Sequence, residues 1–101
     1  MNPGQLTLDS RIRPSDKTLF RNVEGEAVLL GLNAGSYFGL DPVGTRMWEL
    51  IAERGLLRDV VSGIVAEFEV DAARVETDLL KLVSALLEKQ LVELAGSGPH
   101  P

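Results

Sequence analysis

Residues 32–50 read LNAGSYFGLDPVGTRMWEL, and this stretch decides how the chain folds. Residues 33–35 are typical of a hairpin loop, and their glycine suits a left-handed backbone conformation. Residues 36–40 are short and aromatic, which predicts a strand. Asp41 can cap the first amides of a helix, and Pro42 fits the first helical position. The stretch therefore predicts a hairpin strand that runs directly into a helix.

Two further strands are predicted before this stretch, at residues 17–23 and 26–32, with a tight turn between them. Residues 26–32 are apolar on both faces, which indicates a central strand. The last strand of the resulting meander, residues 36–40, is then predicted to lie on an edge. Because side chains alternate between the two faces of a strand, Tyr37 and Phe38 cannot both point into the core.

Three helices are predicted after the sheet. The first ends at Gly55, the second carries apolar residues at helical spacing from Leu57 to Phe68, and the third begins after Asp71 and runs to about Gln90. The stripe of apolar residues on the third helix is broad for a helix that covers one face of a core.

The predicted fold class is therefore α+β, a three-stranded antiparallel sheet followed by three helices, and the nearest named architecture is the winged helix-turn-helix. Residues 1–16 are predicted to be an N-terminal extension or a short strand. Residues 91–94 predict a short terminal strand, and residues 95–101 a disordered tail. The main domain is thus expected at residues 17–94.

The composition argues against several classes of function. The 101 residues carry a net charge of −5, whereas nucleic acids and anionic membranes attract a positive field. The chain has no cysteine, so it contains no disulfide, thiol nucleophile or thiolate metal site. The first residues lack the basic and apolar blocks of a signal peptide, so we expect a cytoplasmic protein.

Catalysis is not expected. The single histidine, His100, lies in the predicted tail, where nothing holds it in place, and without a second histidine the serines lack a candidate base. Carboxylates are not spaced as metal ligands, and the glycines at 31, 35 and 39 are typical of turns and strands rather than of a phosphate loop. We therefore expect no enzyme activity, no metal and no cofactor.

Three kinds of binding protein remain. A DNA-binding winged helix regulator would read DNA with the third helix, but that helix is slightly acidic. A structural adaptor or oligomerisation domain would pair the edge strand with itself. A peptide-binding protein would use that edge to pair an extended peptide, with the broad apolar stripe of the third helix as the other wall of a groove.

One motif resembles a known family. The pattern Gly-x-aromatic-aromatic-x-Leu-Asn/Asp-x-x-Gly-x-x-x-Trp, which runs here from Gly35 to Trp48, resembles the signature of the PqqD family, also called RiPP recognition elements. Asp41 stands where the family usually has asparagine, and both residues cap helices. A weaker likeness covers residues 75–80 and 91–92 of the late helix and the apolar segment after it.

The resemblance implies that the chain binds the leader of a ribosomally made precursor peptide as an added strand, and that it delivers the precursor to modifying enzymes. We favour lasso-peptide pathways, in which a leader-cleaving cysteine protease and an ATP-dependent cyclase are the partners. The alternative is a radical iron–sulfur enzyme, as in the pyrroloquinoline-quinone pathway. The residues expected to bind the peptide are Ser36, Tyr37, Phe38, Gly39, Leu40, Arg74, Val75, Asp78, Leu79, Lys81 and Leu82.

Overall fold

A computed structural model describes residues 6–24, 26–32 and 35–95. Along the chain it contains a short strand, a three-stranded meander, three helices and a last short strand. These elements are β1 (Ile12–Pro14), β2 (Thr18–Val23), β3 (Glu26–Gly31), β4 (Ser36–Leu40), α1 (Pro42–Arg54), α2 (Leu57–Phe68), α3 (Ala72–Glu88) and β5 (Val92–Leu94).

The larger sheet is antiparallel, with its strands in the order β2-β3-β4. The prediction that residues 26–32 form the central strand and residues 36–40 an edge strand is confirmed. The α+β class, with three helices after a three-stranded sheet, is confirmed as well, while the winged helix-turn-helix label stays a prediction. Tyr37 points outward and is 62% exposed, whereas Phe38 packs against the core, as the alternation of side chains requires.

The two short strands at the ends of the described chain pair with each other. β1 and β5 form an antiparallel two-stranded sheet in which Ile12 lies opposite Leu94. Ile12 is buried in the core, so residues 12–14 belong to the folded unit. Ala95, assigned to the tail above, donates its amide to the carbonyl of Arg11 at 2.8 Å. Residues 96–101, including His100, lie outside the described residues.

The helix boundaries follow the capping residues of the sequence. Asp41 Oδ1 accepts a hydrogen bond from the amide of Gly44 at 2.7 Å and starts α1, and Gly55 ends it with a positive φ of 79°. Asp71 starts α3 by accepting from the amide of Arg74 at 3.2 Å. α3 ends two residues earlier than expected because Gln90 adopts a left-handed conformation, which turns the chain toward β5.

The core lies between the inner face of the larger sheet and the three helices. Phe20 of β2 stacks on Trp48 of α1 with ring centroids 6.4 Å apart. Leu50, Ile64, and Leu79 supply fully buried side chains from α1, α2 and α3. Within the described ranges, no helix combines the length and apolar composition that a membrane span requires.

Thr45 joins the sheet to α1 through a buried hydrogen bond. Its Oγ1 accepts from the amide of Ala27 in β3 at 3.2 Å. We expect Thr45→Val, which keeps the shape and removes the acceptor, to lower the free energy of unfolding by about 1–2 kcal/mol, because a buried amide loses its partner. Urea denaturation measures this change, and a valine variant as stable as the wild type would contradict the assigned role.

Candidate functional site

A groove of about 1000 Å³ runs between β4 and α3. Its volume lies at the upper end of the range for small-molecule sites, about 300–1,000 Å³. The lining is mainly apolar and comes from four elements and the turns between them. The lining residues are Phe38, Gly39, Leu40, Asp41, Val43, Gly44, Met47, Ile64, Phe68, Val70, Asp71, Arg74, Val75, Asp78 and Leu82.

The two walls of the groove are linked beyond one of its ends. At one end the hydroxyl of Ser36, the first residue of β4, donates to the carbonyl of Lys89, just after α3, at 3.2 Å. At the other end Asp41 follows β4 and Asp71 precedes α3, and both residues line the groove. β4 and α3 therefore run in opposite directions along the two walls, joined at the Ser36 end.

Two hydrogen bonds at the end of β3 show which neighbouring strand, β2 or β4, the backbone groups of each β3 residue face. The amide of Leu32 donates to the carbonyl of Lys17 at 2.7 Å, on the β2 side. The amide of Gly35 donates to the carbonyl of Gly31 at 2.8 Å, on the β4 side. Backbone groups of successive strand residues point alternately to the two sides. The N–H and C=O groups of Leu29, two residues before Gly31, therefore also face β4.

The same alternation identifies the unpaired backbone groups of β4. Phe38 lies opposite Leu29, so the N–H and C=O groups of Phe38 point toward β3. The N–H and C=O groups of Tyr37 and Gly39 point the other way, toward the side on which no other described strand lies. β4 therefore presents two residues whose backbone donors and acceptors are available to an added strand.

Apolar side chains form most of the walls and floor. Phe38 and Leu40 face the groove from the inner face of β4, and Val75 and Leu82 face it from α3. One charged pair lies on the α3 wall, where Arg74 Nε approaches Asp78 Oδ2 at 3.5 Å. Both side chains are largely exposed to solvent, so this pair contributes little to stability.

Arg46 links two of the helices that line the groove through ion pairs on the surface. Arg46 bonds Glu49 of its own helix at 3.0 Å and Glu67 of α2 at 2.8 Å. The hydrogen bond to Glu67 is the main cause that raises the pKa of Arg46 further above its ordinary value, and the same bond lowers the pKa of Glu67. The pair ties α1 to α2, which supply Met47 and Ile64 to the groove.

Seven of the eleven residues expected to bind a peptide line the groove, and four do not. The seven are Phe38, Gly39, Leu40, Arg74, Val75, Asp78 and Leu82. Ser36 lies beyond the groove, where its hydroxyl donates to the carbonyl of Lys89, and the Tyr37 side chain points to the outer face of the sheet. Leu79 is 0% exposed and belongs to the core, while Lys81 is exposed on another side of α3.

Sequence reasoning missed the lining residues at the end of the groove marked by Asp41 and Asp71. Val43 is the second residue of α1, Phe68 is the last residue of α2, and Val70 lies in the turn between α2 and α3. These side chains remain 37%, 39% and 42% exposed. Phe68 and Val70 are two large apolar residues at a helix break, a pattern that could have indicated an exposed apolar surface. Helical periodicity alone instead assigned Phe68 to the face of α2 that packs on the core.

The described residues contain no cluster of three or more histidine, cysteine, aspartate or glutamate side chains that could hold a metal ion. The arrangement is that of a binding surface: an unpaired strand edge beside an apolar trough with polar ends.

The family model described as coenzyme PQQ synthesis protein D (PqqD) matches residues 26–92, two thirds of the chain. The chain belongs to the PqqD family. The matched region of this PqqD-family protein begins with β3 and includes β4, the three helices and the first residue of β5. Both walls of the groove thus lie within the family domain.

Two solved structures resemble this PqqD-family chain. TbiB1 in complex with the TbiA(beta) leader peptide is 40% identical, with a TM-score of 0.74, over 86% of this chain and 99% of that chain. Lasso peptide synthetase B1 complexed with the leader peptide is 21% identical, with a TM-score of 0.73, over 83% of this chain and 99% of that chain, and shows the shared fold. A comparison with curated proteins finds no significant match.

Proposed function

We propose that this PqqD-family chain is a non-catalytic RiPP recognition element, which binds the leader segment of a ribosomally made precursor peptide as an added strand on β4. The observation that carries the proposal is the unpaired backbone of Tyr37 and Gly39 beside an apolar groove. Backbone pairing sets the register of the leader, and the side-chain pockets set its specificity. The leader complex of TbiB1, a protein 40% identical to this one, supports this proposal.

The size of the groove is consistent with affinities typical of peptide recognition. A leader strand between β4 and α3 would bury about 1,000–1,600 Å² in total, at the lower end of the range for specific interfaces. The corresponding dissociation constants lie between about nanomolar and micromolar, or roughly −12 to −8 kcal/mol. Arg74 and Asp78 at the rim would influence association rates more than affinity.

Residues 17–94 form the leader-binding domain in this proposal, with β1 packed against its end. The partners are a leader peptidase and a cyclase of a lasso-peptide pathway, to which the fold shared with lasso peptide synthetase B1 lends support. The alternative partner is a radical iron–sulfur enzyme. Since ribosomal precursors are made in the cytoplasm, we place the protein there, without nucleic-acid or membrane partners.

A DNA-binding winged helix regulator is the competing function. α3 would then be the reading helix, but Glu76, Asp78 and Glu88 outweigh Arg74 and Lys81 along it. Acidic side chains on a helix in the major groove would repel phosphates.

Fluorescence anisotropy separates the two functions. We expect a labelled TbiA(beta) leader peptide to bind saturably with a dissociation constant of about 10 μM or below, and random duplex DNA not to bind. Salt-sensitive binding of the duplex at micromolar concentration, with no binding of the peptide, would favour the regulator. The leader should also bind with one peptide per protein chain, which calorimetry measures.

A further inference from the structure

A second cavity, of about 540 Å³, lies at the end of α3 opposite the Asp71 cap. The loop before β2, the last residue of β3, the end of α3 and all of β5 contribute to its lining. The lining residues are Ser15, Asp16, Lys17, Gly31, Leu87, Lys89, Gln90, Val92, Glu93 and Leu94. None of them lines the groove between β4 and α3, so this space, the junction cavity, is separate from the groove.

The junction cavity begins where the proposed leader strand would leave β4. Gly31, one of its lining residues, is paired with Ser36, the first residue of β4. The Ser36 hydroxyl donates to the carbonyl of Lys89, another lining residue, at 3.2 Å. A peptide that pairs with Tyr37 and Gly39 and continues past Ser36 therefore arrives at this cavity.

β5 borders the junction cavity with free backbone groups. The amide of Ala95, just after β5, donates to the carbonyl of Arg11 on the β1 side at 2.8 Å. Because backbone groups alternate along a strand, those of Glu93 also face β1. The N–H and C=O groups of Val92 and Leu94 point to the opposite side, on which no described strand lies. β5 is therefore a second strand edge to which an extended peptide can pair.

The two cavities differ in charge. The groove between β4 and α3 is lined by three aspartates and one arginine, which makes it negative. The junction cavity carries Lys17 and Lys89, neither of which forms an ion pair with a described residue, together with Asp16. Its second carboxylate, Glu93, is neutralised by an arginine of β1 at 2.9 Å. The junction cavity is therefore positive, although the whole chain is acidic, and it favours an acidic ligand.

We propose that the junction cavity is a second binding site for the precursor peptide, which takes the segment that continues past Ser36 and pairs an acidic side chain of that segment with Lys17 and Lys89. This inference rests on the proposed function. Antiparallel pairing is the more stable arrangement per residue, so the segment in the cavity is the C-terminal continuation of the strand on β4. The second contact is intramolecular once the first has formed, which raises the affinity of the whole peptide.

The test starts from peptides that are long enough for β4 alone. Random peptides of about six residues, roughly 20 Å when extended, are displayed and selected on the full chain. Peptides that bind Gly39→Pro at least about tenfold more weakly than the wild type are kept, because they use the backbone of β4. Each is then extended at its C-terminus by Gly-Glu-Gly-Glu or by Gly-Lys-Gly-Lys, and calorimetry measures its affinity.

We expect the acidic C-terminal extension to strengthen binding by about fivefold or more, and the basic extension to give no gain. The same acidic extension at the N-terminus should also give no gain, because it lies toward the aspartates of the groove. The amides of Val92 and Leu94 should become protected from exchange by the acidic C-terminal extension and not by the short peptide. An acidic C-terminal extension that binds within about twofold of the short peptide would overturn the second site.

The double variant Lys17→Gln with Lys89→Gln should remove the gain and leave the affinity for the short peptide unchanged. The matched control is Lys81→Gln with Arg21→Gln, which changes the net charge equally at two exposed positions outside both cavities. The control should keep the gain. A gain that survives in the first double variant, or is lost equally in both, would contradict the assigned lysines.

Other occupants of the junction cavity give different results. A gain that appears only in a chain ending at Ala95 would place residues 96–101 in the cavity, and a dimer that dissociates when the extended peptide binds would place a second copy there. Either result would overturn the proposal. If no selected peptide is sensitive to Gly39→Pro, strand addition to β4 is wrong and this inference fails with it. If sensitive peptides gain nothing from extension, strand addition stands and only the second site fails.

Discussion

Gly39→Pro is expected to weaken binding of the TbiA(beta) leader by about ten- to hundredfold. Gly39 directs its N–H group to the unpaired side of β4, and proline removes this donor and places ring atoms where the leader backbone would approach. A peptide carbonyl left without its partner costs about 1–3 kcal/mol, and 1.4 kcal/mol corresponds to a tenfold change in affinity.

The matched control is Gly39→Ala. A Cβ at this position meets no atom within 4 Å, so alanine keeps the donor and fits without rearrangement. The alanine variant should bind within about threefold of wild type. Proline is tolerated on edge strands, and thermal melts followed by circular dichroism would verify that both variants fold. Equal affinities for the proline and alanine variants would contradict backbone pairing at this edge.

Leu79→Asp is expected to unfold the protein rather than to report on leader binding. Leu79 is completely buried, and replacing it removes apolar contacts and places a carboxylate in the core. The two effects together cost more than about 4 kcal/mol. Since domains of this kind are stable by only about 5–15 kcal/mol, we expect loss of the cooperative thermal transition in circular dichroism.

Leu82→Asp is the corresponding test of the groove wall. Leu82 lies one turn further along α3, is half-buried and lines the groove. We expect a folded variant whose leader affinity falls by about tenfold or more, as anisotropy would measure. A stable Leu79→Asp variant, or a Leu82→Asp variant that binds like the wild type, would show that the orientation of α3 is assigned wrongly.

Local chemistry made much of the fold predictable. Asp41 and Pro42 fix the start of α1, and Gly55 fixes its end, because caps act within one turn of the chain. The apolar run of residues 26–32 identified the central strand, and the order of the meander then placed Ser36–Leu40 on the edge.

The remaining features depend on contacts between distant parts of the chain. The pairing of β1 with β5 joins Arg13 to Glu93, and three-residue strands leave almost no periodic signal. The broad stripe of α3 could not reveal that Leu79 faces the core and Leu82 the groove, because this depends on the rotation of the helix against its neighbours. The exposed lining residues Val43, Phe68 and Val70 were missed because their position depends on how α1 and α2 pack together, which periodicity within one helix does not show.

Amide hydrogen exchange of Tyr37 and Gly39, followed residue by residue by NMR with and without the TbiA(beta) leader, tests the central claim most directly. Without peptide we expect both amides to exchange quickly, while the amide of Phe38, which faces β3, is protected. At saturating leader the amides of Tyr37 and Gly39 should become protected at least tenfold, roughly the effect of one added hydrogen bond. Unchanged exchange at these two residues with the leader fully bound would contradict strand addition on β4.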